Sequence, residues 1–196
     1  MSALAVGPPT PVQICQLEAE FLPVLELYRD KHPASVLEIG TASGGTLYHW
    51  LTAGAEDAPP QVVVSVDLPD PDYDLDRDAC LAWAPAGVTC VLVEGNSHDH
   101  ATIEQVREHA PYDWLFVDGC HVYDDARADF DTYRPMVCSG GIVLLHDIAL
   151  RRRYEDGRSA GVWRLWQELR QAGYWTREFR ADPSLAAYGI GALRVP

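Results

Sequence analysis

Val36-Leu37-Glu38-Ile39-Gly40-Thr41-Ala42-Ser43-Gly44-Gly45-Thr46 reads as a buried strand running into a glycine-rich turn and then a helix. The apolar residues suit a strand covered on both faces, and the glycines let the backbone turn tightly against a ligand. Outward from this stretch, short apolar runs alternate with amphipathic ones. The expected strands are Ser35–Ile39, Val62–Val66, Val88–Val93, Asp113–Val117 and Gly141–His146; the expected helices are about Gly44–Leu51, Leu75–Trp83, Ala101–His109 and Val122–Arg134. Strands separated by helices predict βα units, hence a parallel sheet with helices on both faces. A helix through Val162, Leu165, Trp166 and Leu169 follows. Trp175–Arg180 and Tyr188–Val195 then lie too close together for a helical crossover and predict an antiparallel hairpin at the sheet edge. Upstream, Gln13–Asp30 carries helical spacing, with Pro23 as a kink. The expected fold is a three-layer α/β/α Rossmann-like domain over 35–196, preceded by a leader and helix over 1–34. Ligands are expected at the carboxyl ends of the strands.

The composition narrows the partners. Lys+Arg 15 against Asp+Glu 29 gives a net charge of −14, which argues against a nucleic acid, whose phosphates need cations. Lys31 is the sole lysine and no polybasic tether is visible. No apolar run approaches the ~20 residues that span a bilayer, and the N-terminus lacks a cationic signal-peptide start, so a small molecule is the expected partner and no membrane is. Five cysteines, odd in number and without C-x-x-C, fit reduced thiols in a cytoplasmic protein.

The glycine turn excludes two common ligands. G-x-G-x-x-G is not met, because Ala42 holds the middle glycine position, and no Lys follows to make a Walker A loop. Glu38 would repel a pyrophosphate but suits a cationic ligand. Asp67, ending Val64-Ser65-Val66-Asp67, stands where an acid holds both hydroxyls of a ribose. A ligand with a ribose, no phosphate and a positive charge describes S-adenosylmethionine.

E-I-G-x-x-x-G-G followed by that strand-end acid resembles the class I S-adenosylmethionine-dependent methyltransferases. Further on, D-W-L-F-V-D-G-x-H-x-Y (Asp113–Tyr123), then Asp129, then G-G-I-x-x-x-H-D-I (Gly140–Ile148) are similar to one subgroup of them. That subgroup holds metal-dependent macrolide sugar O-methyltransferases, aminocoumarin methyltransferases and cephalosporin-hydroxylase-like proteins. The likeness runs from about Val36 to Leu169, including Gly161-Val162-x-x-x-Trp166. It implies a methyltransferase sheet and O-methylation of a small molecule, a sugar or phenolic hydroxyl in secondary metabolism. It also implies cofactor contacts from Glu38, Gly40, Thr41, Gly44, Asp67 and Asp118, with Asn96 or Ser97 at the adenine edge, and His121 as general base. Related enzymes often assemble as homo-oligomers through their N-terminal helices.

The chemistry asks for such residues independently. A hydroxyl is a poor nucleophile until its proton is removed or a cation stabilises the oxyanion. Asp118 and Asp147 end neighbouring strands, so their carboxylates should converge into an oxygen site suited to Mg²⁺. His146 is the departure, since the metal-dependent relatives carry two adjacent acids there. An imidazole favours Mn²⁺, Fe²⁺ or Zn²⁺, or else stands outside the ligand set. Two histidines and two aspartates in one mouth also keep open an iron-dependent hydroxylase, and a non-catalytic cofactor-binding protein is the third reading. The acids alternating from Asp67 to Asp78 fail the EF-hand pattern and read as a solvated helix entry. His98-x-His100 reads as a surface loop, and Arg151-Arg152-Arg153 as a solvated turn or a lid beyond Asp147.

Overall fold

The computed structural model describes residues 12, 14–54, 58–69 and 75–196. The leader up to Pro11, Gln13, and Asp70, Asp72 and Asp74 of the acidic stretch therefore lie outside the described residues. In chain order the elements are α1 (Glu18–Lys31), β1 (Ser35–Ile39), α2 (Gly45–Thr52), β2 (Val62–Asp67), α3 (Arg77–Ala82), β3 (Thr89–Glu94) and α4 (His100–Arg107). There follow β4 (Tyr112–Val117), α5 (Tyr123–Tyr133), a 3-10 turn at Arg134–Met136, β5 (Val137–His146), α6 (Val162–Gln171), β6 (Trp175–Phe179) and β7 (Ile190–Arg194).

The strands form one seven-stranded sheet in the order β3-β2-β1-β4-β5-β7-β6. The first five run parallel, and β7 is antiparallel to both β5 and β6, as the expected terminal hairpin requires. The chain winds from β1 outward to β3, then returns to lay β4 on the other side of β1. Ligands of open α/β sheets sit at such a reversal of winding. The register explains why several loops meet there. Ile39 is level with both Val66 and Val117, Val66 with Val93, and Val117 with Leu145. Gly40, Asp67, Asp118 and His146 therefore leave the sheet along one edge.

Alternation along the strands divides the core in two. Leu37, Ile39, Val64, Leu115, Val117, Val143 and Leu145 join Val106, Phe130 and Leu165 of α4, α5 and α6 in one layer. Val36, Val63, Trp114, Phe116 and Leu144 face α1 and α2 in the other. Here Phe21 and Tyr28 of α1 pack edge-on or tilted against Trp50, and Tyr28 meets Trp114 edge-on. The Tyr28 hydroxyl donates to the Trp50 carbonyl at 2.7 Å. Burying each of these rings contributes about 1.5–3 kcal/mol, so α1 is held as part of the sheet's covering layer.

Two elements differ from their sequence pattern. Helix α1 begins at Glu18, because the Glu20 carboxylate accepts the Leu17 N–H at 3.1 Å and closes the helix start there, leaving Ile14–Gln16 outside it. Strand β5 begins at Val137, and its pairing with β4 jumps from Tyr112–Val137 to Trp114–Ile142, so a bulge absorbs Ser139-Gly140-Gly141.

Candidate active site

At the reversal, β1 runs into a loop that only glycine can start. Gly40 has φ +98°, and a Cβ on it would stand 2.2 Å from the Asp118 carbonyl oxygen. Gly44 (φ +85°) turns the chain into α2 with its hydrogen side pressed on Trp83 and Cys80. Asp67 braces this loop from the end of β2. Its Oδ2 accepts from the Thr41 and Ala42 amides at 2.8 and 2.7 Å, and its Oδ1 from the Leu68 amide at 2.7 Å. Two amides of the loop, those of Thr41 and Ala42, are thereby committed to a carboxylate.

The cleft above encloses about 840 Å³ and is lined by residues that include Gly40, Thr41, Asp67, Asn96, Ser97, Asp118, His121, His146 and Asp147. These are most of the residues picked out from the sequence. Asn96 also holds its own loop, with Oδ1 accepting the His98 N–H at 2.9 Å, and the Ser97 carbonyl accepts from the Tyr133 hydroxyl at 2.6 Å. Gly44 is set back from the cleft surface.

Glu38 is a correction. It does not line the cleft. Alternation along β1 places it on the same face as Val36, beneath α2, where Trp50 Nε1 donates to it at 2.9 Å and the Ser65 hydroxyl at 2.6 Å. Burial pushes its carboxyl up to about 7 despite these hydrogen bonds and one from Thr46. It reaches the cleft lining indirectly, through Thr46 and through Ser65, whose hydroxyl meets that of Thr41 at 2.7 Å. His98 lies in an exposed loop ahead of α4, as expected from the sequence. It lines the cleft, with Nε2 3.2 Å from Oδ1 of the buried Asp129. Burial raises the Asp129 carboxyl, against hydrogen bonding from Ser97 and the charge of His98.

The chemistry-bearing side chains gather where β4 and β5 end. His146 Nδ1 lies 2.9 Å from Asp118 Oδ1. His121 bridges the two acids, with Nε2 3.4 Å from Asp118 Oδ1 and Nδ1 3.0 Å from Asp147 Oδ2. His146 Nε2 stands 3.6 Å from Oε1 of Glu20, a fully buried acid on α1. Gln16, just ahead of α1, donates from Nε2 to Asp118 Oδ2 at 2.5 Å. Asp147 holds φ 60°, a left-handed backbone that non-glycine residues adopt at a cost of about 1–3 kcal/mol and that clusters at functional sites.

Proton affinities follow from this packing. Burial opposes charge on Asp118, yet His146 and His121 outweigh it and hold the carboxyl well below the usual range. Burial also works against a charged His121, but hydrogen bonds to Asp118 and Asp147 push it up to about 9. His146, buried, is raised well above its ordinary value by Asp118, Glu20 and Asp147. The His121 backbone is tied as well. Its carbonyl accepts from the Gly161 amide at 2.7 Å, and a Cβ at Gly161 would stand 2.5 Å from Tyr123 Cβ. The segment carrying Arg151–Arg153 thus closes back onto the loop of His121, and the Arg151 guanidinium lies over the Trp163 ring.

Asp118, His121 and His146 each offer a ligand atom, all within 4.8 Å of one another. Asp147 Oδ1 lies beside them, buried and without a hydrogen bond. Imidazole nitrogen mixed with carboxylate oxygen fits Mn²⁺, Fe²⁺ or Zn²⁺ better than Mg²⁺. Gln16 and Glu20 belong to no motif. A capping box normally opens on Ser or Thr, and Leu17 in that place hides the role of Glu20.

Residues 37–148 match the family model described as Methyltransferase domain. Among curated proteins, an uncharacterized protein y4gI from Sinorhizobium fredii is 42% identical over 62 residues, 32% of this chain and 6% of that one; the chain spans a small part of that relative's length. Among solved structures, the Bacillus cereus O-methyltransferase in complex with S-adenosylhomocysteine superposes with a TM-score of 0.67 at 16% identity, over 90% of this chain and 80% of that one. MycE, a methyltransferase of the mycinamycin pathway solved with Mg, S-adenosylhomocysteine and mycinamycin VI, gives 0.58 at 18% identity, over 88% and 48%. At these identities the likeness is one of fold.

Proposed function

The chain belongs to the methyltransferase-domain family with the class I S-adenosylmethionine-dependent fold, and we propose that it methylates a hydroxyl of a small molecule, a sugar or phenolic natural product. The observation that carries the cofactor assignment is Asp67. Its carboxylate takes up the Thr41 and Ala42 amides on Oδ2 while facing the cleft, which disfavours a phosphate-bearing ligand, and Oδ1, bound only by the Leu68 amide, keeps an acceptor site for a ribose hydroxyl. Gly40, without a side chain, lets the ligand approach the backbone closely. Asn96 and Ser97 line the cleft at the end of β3 and are assigned to the adenine edge.

His121 is assigned as the base that takes the acceptor's proton. The acceptor oxygen then displaces S-adenosylhomocysteine from the methyl carbon, and alignment of the two supplies much of the acceleration. With both carboxylates free to clasp it, His121 keeps its own proton up to about pH 9. It becomes a base near neutrality once Asp118 and Asp147 are engaged elsewhere. Asp118, His146 and Asp147 would hold a divalent ion, which would supply Lewis acidity to the acceptor oxygen. Five free cysteines support a reducing, cytoplasmic setting, and among the described residues no helix is long and apolar enough to cross a membrane.

The donor set of Asp118, His121 and His146 favours one other reading, an iron-dependent hydroxylase on the same fold. Incubating the protein with S-adenosylmethionine, Mn²⁺ or Fe²⁺ and panels of sugar and phenolic acceptors separates the two. Methyl transfer predicts S-adenosylhomocysteine formed in step with a methylated product. Oxygen uptake without S-adenosylhomocysteine would overturn it.

A further inference from the structure

Gln16 is a buried polar residue for which the chemistry above has no use. It is 5% exposed, lines the cleft and binds Asp118 Oδ2 through Nε2 across 102 positions of sequence. Its other amide atom, Oε1, is buried and accepts no hydrogen bond. Leaving an amide oxygen so costs about 1–3 kcal/mol, and a buried group without a partner calls for an explanation such as an ion. The residue is also held in place. Ile14 is buried, and the Leu17 N–H is fixed by Glu20 Oε1, whose other oxygen accepts from the Gly189 amide at 2.8 Å. The backbone on both sides is therefore anchored, so rotation of the terminal amide exchanges its two ends at the same place in the cleft. The neighbouring Cys15 thiol lies in the field of Asp118, His146 and Asp147, which places this segment against the cluster of candidate metal ligands.

We propose that Gln16 is a ligand of the divalent-cation site, a neutral oxygen donor supplied by the segment ahead of α1. Without a cation, the N–H end restrains Asp118. A cation bound to that carboxylate repels an N–H aimed at the same oxygen, and a half-turn of the amide presents Oε1 instead. The turn gives up one charge-assisted hydrogen bond and gains an ion–dipole contact with a hard oxygen. It also satisfies the oxygen that is otherwise orphaned. The inference rests on the metal-assisted part of the function proposed above.

The test is calorimetric titration of the full chain with Mn²⁺, with and without S-adenosylhomocysteine, checked by electron paramagnetic resonance of free Mn²⁺. Wild type, Gln16→Leu and Gln16→Glu are compared. Wild type should bind a single Mn²⁺. Gln16→Leu should bind it about tenfold more weakly, and Gln16→Glu no more weakly than wild type, because a carboxylate oxygen replaces the carbonyl. Affinity for S-adenosylhomocysteine should stay within about twofold throughout. If the leucine variant does not fold, Gln16→Asn, too short to reach, carries the same expectation. Equal Mn²⁺ affinity in wild type and Gln16→Leu overturns the proposal. Parallel loss of Mn²⁺ and S-adenosylhomocysteine in both variants does so too, since it marks a structural wall. A wild type that binds S-adenosylhomocysteine but no Mn²⁺ removes this inference and the metal-assisted reading together, leaving methyl transfer standing.

Discussion

Protonated His121 should leave a signature in the pH dependence of folding. Its ring, clasped by Asp118 and Asp147, keeps its proton to about pH 9, against ~6.5 in an unfolded chain. A histidine raised in this way stabilises the fold fully below the unfolded pKa and loses that contribution as pH rises through the folded one. Each unit of separation is worth ~1.4 kcal/mol, and the ring's 30% exposure lets solvent trim the sum, so about 2–3 kcal/mol is at stake. His121→Gln removes the titration while retaining a side chain that can donate to one carboxylate. Urea denaturation of the chelator-treated protein at pH 6 and pH 10 measures the effect. Wild type should exceed the variant by about 2–3 kcal/mol more at pH 6 than at pH 10. In parallel, the His121 ring proton should titrate near 9 by NMR. A stability difference independent of pH, or a midpoint near 6.5, would refute the clasped-imidazolium account.

Two further outcomes test the division of roles. His121→Ala should lower methyl transfer by ~10²-fold or more while S-adenosylhomocysteine affinity, by calorimetry, stays nearly unchanged; equal activity would reassign the base. Glu38→Gln keeps an acceptor for Trp50 and stands off the cleft surface, so cofactor affinity should change by less than about threefold, and a larger loss would return Glu38 to the binding set.

The sheet was legible because its central strands are covered on both faces, so that β1, β2 and β4 read as apolar runs. An acid directly after such a run stands out, which is how Asp67 and Asp118 are recognisable; Asp147 follows the run of β5 one residue later, behind His146. Glu38 misleads because it interrupts a run instead of following it. Its setting emerges from contacts made by other elements, the indole N–H of Trp50 brought over it by α2 and the Ser65 hydroxyl of β2. His98 and Asp129 come from different βα units and meet because α5 packs beneath the β3–α4 loop, where Tyr133 holds the Ser97 carbonyl. Nothing near either residue announces the pairing. Gln16 is invisible for the same reason. Its significance depends on a contact with the far end of β4, and a lone glutamine before a helix carries no pattern.

The ligand that binds beside Asp67 decides the reaction this site can carry out. Calorimetry with S-adenosylhomocysteine, NAD⁺ and ATP, on wild type and Asp67→Ala, addresses this directly. S-adenosylhomocysteine alone should saturate a single site in wild type. Asp67→Ala should weaken it by at least about tenfold, since it removes the ribose acceptor and frees the Thr41 and Ala42 amides. Tight binding of NAD⁺ or ATP instead, or undiminished S-adenosylhomocysteine affinity in Asp67→Ala, would contradict it.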